Sequence, residues 1–174
     1  MFLRVQDLEL RKIQFDTSFA PGQIDFIDSL RQTGPLNATG SAELLNSLGE
    51  IRVQGRLQGA LSCECDRCLE PMAIAVDRQF DLHYTPDLEI DSGAEIEIDE
   101  KDAEIGFYQG DGLELADIVR EQILLSLPLQ RVCSAECKGL CAVCGQNKNL
   151  KDCQCRAKQT DERWAALKSI STGE

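Results

Sequence analysis

Six of the nine cysteines in this 174-residue chain fall between Cys133 and Cys155. They are Cys133, Cys137, Cys141, Cys144, Cys153 and Cys155. The segment Cys141-Ala142-Val143-Cys144-Gly145 has the spacing of a metal knuckle. Two residues between the thiols let both sulfurs face one centre, and the glycine lets the chain turn back beneath it. The flanking cysteines offer a second pair on either side, so the segment reads as one structural zinc site. Cys141 and Cys144 are its fixed members, and the other two ligands are to be drawn from the remaining four. Disulfides would need an oxidising compartment, and residues 1–7 lack the basic and long apolar stretches of a secretory signal. A redox pair would open a helix after a strand, whereas Cys141 and Cys144 sit among the turn formers Lys138, Gly139, Asn147 and Asn149. The spacings also match neither ferredoxin pattern. Structural zinc in a cytoplasmic protein is therefore favoured over a disulfide, a redox pair or an iron–sulfur cluster, which stay open as alternatives.

Cys65 and Cys68 form a further pair two residues apart. They are open to two readings: metal ligands, or small apolar residues buried at a strand end. Ligand count favours the second, because no other cysteine pair lies near them in sequence. His83 stands alone and receives no role. No Ser-His-Asp set, phosphate loop or paired-carboxylate signature is present, so no enzyme, catalytic residue or small-molecule substrate is expected.

The elements that must position these residues are mostly strands. Apolar content is 43% and charged content 28%, as in an ordinary globular protein. No run approaches the roughly 18 apolar residues of a membrane helix, so no membrane partner is expected. Residues 51–64 alternate strictly: Ile51, Val53, Gly55, Leu57, Gly59, Leu61 and Cys63 share one face, with polar residues opposite. Met72, Ile74, Val76, Phe80, Leu82 and Tyr84 repeat the period, so 51–84 predicts a hairpin with Cys65–Pro71 at its tip. Glycines on the inward face predict a sharp bend. Phe2–Phe15 reads as a further strand, and 36–48 as strand or helix. Asp111 and Glu114 have the spacing of a capping box opening a helix over 113–127, which Pro128 stops. Thr160 is expected to cap a short final helix carrying Trp164 and Leu167.

The predicted class is α+β: a β-rich body, as a bent antiparallel sheet or small open barrel, with a packed helix and a C-terminal zinc-binding segment. The body occupies 1–130 and the tail 131–174. Net charge is −12, but residues 131–174 hold eight basic against five acidic residues, and 1–130 hold ten against twenty-five. Nine of the acidic residues lie in 87–104, which reads as a solvated acidic loop. Any polyanion contact must therefore be local.

Four stretches carry a resemblance. They are Cys65-x-Arg67-Cys68-Leu69-Glu70-Pro71, Leu127-Pro128-Leu129, Cys137 through Cys144-Gly145-x-Asn147-x-Asn149, and Asp161-x-Arg163-Trp164-x-x-Leu167. In combination they resemble the YceD-like family of bacteria and plastids, the large ribosomal RNA subunit accumulation proteins. The resemblance implies a non-enzymatic factor supporting accumulation of large-subunit rRNA and large-subunit assembly. Its implied partner is that rRNA or a pre-ribosomal particle. The alternative is an acidic adaptor that acts on a ribosomal protein and never touches RNA. If RNA is bound, the candidate phosphate contacts are Arg52, Arg56 and Arg67 on or beside the first hairpin strand. Lys138, Lys148 and Lys151, with Arg156 and Lys158, add to them around the cysteine loop.

Overall fold

The computed structural model describes residues 1–26, 30–87 and 105–155. The acidic stretch 88–104, Arg156, Lys158 and the helix expected after Thr160 lie outside them. Within the described residues the chain divides into two compact units. One comprises 1–64 with 71–131, and the other 65–70 with residues from 132 onward. Residues 65–70, at the tip of the hairpin, therefore group with the cysteine-rich segment.

The first unit is built on the alternating strand. Strand β5 (Ile51–Glu64) pairs antiparallel with β6 (Pro71–Pro86) over its whole length, from Ile51 opposite Tyr84 to Glu64 opposite Pro71. Its inward residues Ile51, Val53, Leu57, Leu61 and Cys63 are all buried, as period two requires. On its other side lies β4 (Leu36–Leu44), which in turn pairs with β2 (Ile13–Phe19). The stretch 36–44 is thus strand, with Leu36, Ala38 and Ala42 buried. A short β3 (Arg31–Gln32) also pairs with β5. At the far edge β7 (Ile105–Tyr108) joins β6, and this pairing is parallel. The six-stranded sheet is open and mixed.

The glycines of β4 and β5 mark a close approach. Gly40 faces Gly55, and a Cβ on Gly40 would run into the Gln54 carbonyl and the Phe15 ring. Only glycine lets the two backbones meet there while Phe15 and Phe80 close over them.

Two expectations about the N-terminal half and the helix change. Phe2–Phe15 is not one strand. Strand β1 (Phe2–Arg4) leads into helix α1 (Val5–Leu10), and β2 begins only at Ile13. Val5 and Leu8 are three apart, and Leu8 is buried, which a helical turn satisfies and an extended chain does not. The capping box at Asp111 also does not form. Gly112–Glu114 is a strand, β8, pairing with β1 so that Leu3 faces Leu113. Helix α2 (Leu115–Ser126) starts after it, and Glu114 caps it without a side-chain hydrogen bond. Leu115, Ile118, Val119 and Ile123 lie on one face of α2 and enter the same core as the sheet. Leu127 turns extended before Pro128, which ends the helix. No helix among the described residues is long and apolar enough to cross a membrane.

Candidate metal centre

The second unit begins as two tight turns. In the loop 65–70 the Leu69 amide donates to the Cys65 carbonyl at 2.9 Å, and the Cys65 amide to the Glu70 carbonyl at 2.9 Å. In the loop 141–146 the Gly145 amide donates to the Cys141 carbonyl at 2.8 Å, and the Cys141 amide to the Gln146 carbonyl at 2.8 Å. Each turn brings its Cys-x-x-Cys sulfurs onto one side.

The tail cysteines then separate. Cys133 and Cys137 join Cys65 and Cys68, while Cys153 and Cys155 join Cys141 and Cys144. In each set the four sulfurs lie within 4.8 Å of one another. The expectation of one site drawn from the tail alone gives way to two sets of four thiols. Cys65 and Cys68 belong to the first, although some 65 residues separate Cys68 from Cys133. That distance in sequence is why ligand counting within the hairpin passed them over. The ninth cysteine, Cys63, lies on the inward face of β5.

The donor set fits a thiophilic ion. A tetrahedral ion with metal–sulfur bonds of about 2.3 Å places its sulfurs about 3.8 Å apart. Cys65 and Cys137 have sulfurs 3.9 Å apart, and Cys68 and Cys133 3.8 Å. A disulfide needs about 2.0 Å, and all nine cysteines are free.

Hydrogen bonds orient the sulfurs. The Cys133 amide points at Cys65 Sγ (3.3 Å), the Asn149 side-chain amide at Cys137 Sγ (3.3 Å), and the Val143 amide at Cys141 Sγ (3.4 Å). Such donors favour the thiolate that a metal requires. Burial alone would raise the Cys65 thiol, but the amides of Cys133, Arg67 and Cys68 outweigh it and bring it to about 6. The amides of Cys144 and Val143 likewise bring Cys141 to about 6. Cys133 moves up to about 12, held protonated by its hydrogen bond to Cys137 and by burial. Cys155 does the same against Cys144. In each set some thiols are thus lowered and others raised, which limits the repulsion among four like charges.

Asn147 and Asn149, expected as turn formers, also hold the site together. Asn149 also accepts from the Lys138 amide at 2.8 Å, and Asn147 donates to Glu70 at 3.2 Å, tying the tail to loop 65–70. The Leu140 amide reaches the Arg67 carbonyl at 2.9 Å, and Arg67 Nη1 the Cys137 carbonyl at 3.3 Å. Gly139 makes that approach possible. Its φ is +67°, and a Cβ there would lie 2.9 Å from the Arg67 carbonyl. Gly139→Ala should cost about 1–3 kcal/mol through left-handed strain and this contact. The expected result is weaker metal retention against a competing chelator, and unchanged retention would contradict it.

The basic candidates are placed as follows. Arg52 makes two bonds to Asp81 (2.8 and 2.6 Å), and Arg56 two to Asp77 (both 2.6 Å), on the polar face of the sheet. These aspartates hold the guanidinium groups charged, and their own carboxyls are lowered in return. Arg67 sits between Cys65 and Cys68. Lys138, Lys148 and Lys151 lie in the same unit, with Lys138 Nζ 3.9 Å from Asp152. His83 pairs with Glu50 at 3.2 Å.

The family described as large ribosomal RNA subunit accumulation protein YceD matches residues 53–171, which include both thiol sets. The chain belongs to this family. Among YceD relatives, a chloroplast homologue from Arabidopsis thaliana is 22% identical over 75% of this chain, and one from Zea mays 26% over 82%. Both carry the name large ribosomal RNA subunit accumulation protein YCED homolog 1. The chain spans about half the length of these two, 47% and 56% respectively. An uncharacterized Bacillus subtilis protein, YlbN, is 22% identical over 96% of this chain and 92% of its own length. No solved structure matches the chain.

Proposed function

We propose that this chain is a non-enzymatic cytoplasmic factor that supports accumulation of large-subunit rRNA by binding that rRNA or a pre-ribosomal particle. The observation that carries the reading is the family match, which runs from β5 through both thiol sets. Zinc is the ion we assign to the thiols, in a structural role, since four sulfurs without an open position leave no place for a substrate. The second unit is the part we assign to RNA, through Arg67, Lys138, Lys148 and Lys151. Arg52 and Arg56 each face an aspartate, so their contribution to phosphate binding requires those pairs to open.

That same pairing favours a second reading. With its strand arginines matched by carboxylates and a net charge of −12, the chain also suits a basic ribosomal protein as partner. One experiment separates the two. In cells with this chain as the sole family member, ultraviolet crosslinking should recover large-subunit rRNA. Changing Arg67, Lys138, Lys148 and Lys151 together to alanine should reduce both crosslinking and the ratio of large- to small-subunit rRNA. Binding in vitro should then lose salt dependence by about 0.7–0.9 in slope per phosphate contact removed. A lowered rRNA ratio with protein crosslinks alone would favour the adaptor, and an unchanged ratio on loss of the chain would sink both readings.

A further inference from the structure

We propose that the chain holds two zinc ions at once, one in each thiol set, and that loop 65–70 is a zinc knuckle of the same construction as loop 141–146. The inference rests on the zinc reading above and adds a second site to it.

The two loops share a hydrogen-bond pattern. In both, the first cysteine accepts from the amide four residues on and donates to the carbonyl five residues on. They also share a backbone conformation at the fourth residue after the first cysteine. Gly145 has φ +72°, where glycine is at ease, and Leu69 has φ +60°, where a leucine is not. Leu69 is the only residue other than glycine with a positive φ among the described residues. Its side chain is largely exposed, so packing of that side chain does not explain the conformation. What the turn achieves is the placement of Cys65 and Cys68 beside Cys133 and Cys137. Strain of this kind persists where the surroundings over-determine it, and a four-sulfur centre would do so.

The sets are complete and disjoint. Each has four sulfurs within 4.8 Å, no cysteine belongs to both, and each holds one Cys-x-x-Cys turn with a second pair from further along the chain. A single ion held between the two turns would need Cys65 and Cys68 grouped with Cys141 and Cys144, and they are not. The sets differ in exposure. Cys65, Cys68 and Cys137 are buried in the first, but only Cys141 in the second. A chelator therefore reaches the second ion first.

The test is zinc content of the full chain purified under reducing conditions. Two ions per chain are expected. Cys68→Ser and Cys144→Ser should each lose one ion and keep the other. No zinc at all would overturn the zinc reading and this inference together. One ion in the unchanged chain, lost in either variant, would overturn this inference alone. Should a variant fail to fold, the unchanged chain still decides. Titration with a mercurial thiol reagent, read by a zinc-sensitive dye, should release the ions in two steps of equal size. Leu69→Gly should retain both ions and slow the later step by relieving the turn. A single step, or faster late release from Leu69→Gly, would count against two knuckles.

Discussion

If the thiol sets hold the proposed zinc, stripping it with a strong chelator under reducing conditions should unfold residues 132–155 and leave the sheet standing. The reason lies in what each unit buries. Among the described residues of the second unit, the buried apolar side chains are Cys65, Cys68, Cys137 and Cys141, and no leucine, isoleucine or aromatic ring joins them. A segment with so little apolar burial cannot offset the entropy of ordering its backbone, about 1–2 kcal/mol per residue. Zinc binding in small modules contributes about 10–16 kcal/mol, which can. The first unit needs no such help. Hydrogen exchange read by mass spectrometry should lose protection over 132–155 in the metal-free chain, with β4, β5 and β6 unchanged. Retained protection over 132–155 would show that thiols and turns suffice without an ion.

Leu57→Ala should do the reverse. Leu57 is 1% exposed at the centre of β5, between Ala38 of β4 and Arg78 of β6. Truncating such a side chain costs the transfer of its methyl groups and leaves a cavity, about 2–5 kcal/mol in all. The unfolding free energy of the sheet, read from urea titration, should fall by that amount while zinc content stays the same. Leu129 is the internal control. It is fully exposed, so Leu129→Ala should stay within about 0.5 kcal/mol. Equal costs at the two positions would mean that the core does not sit where the strand alternation places it.

That alternation is the part of the fold most open to reading from sequence. Each residue from Ile51 to Glu64 has one neighbour pattern, and period two assigns its face without knowledge of any partner. The knuckle at Cys141 is legible for the same reason, since its turn is local. The rest depends on contacts distant in sequence. Asp111-Gly112-Leu113-Glu114 carries the local signal of a helix start, and pairing with Phe2–Arg4 overrides it. The first thiol set brings residues 65 and 68 to 133 and 137, a meeting that spacing along the chain cannot express. Arithmetic could have hinted at it. Cys63 belongs to the alternating face of β5, and removing it from nine leaves eight, which is twice four.

The reach between the halves of the first set also orders events during synthesis. Cys65 and Cys137 are separated by 72 residues. At about 5–20 residues per second, Cys137 is made roughly 4–14 s after Cys65. Within that interval β6 is completed at Pro86, before Cys133 and Cys137 are made, so β5 and β6 can then pair. The two thiols at its tip, by contrast, wait at the ribosome without their partners. A newborn chain therefore passes through a period as a formed hairpin with a reactive dithiol at its tip. That period is its window for oxidation or for capture of the wrong metal, and a slowly translated stretch between residues 86 and 133 would widen it.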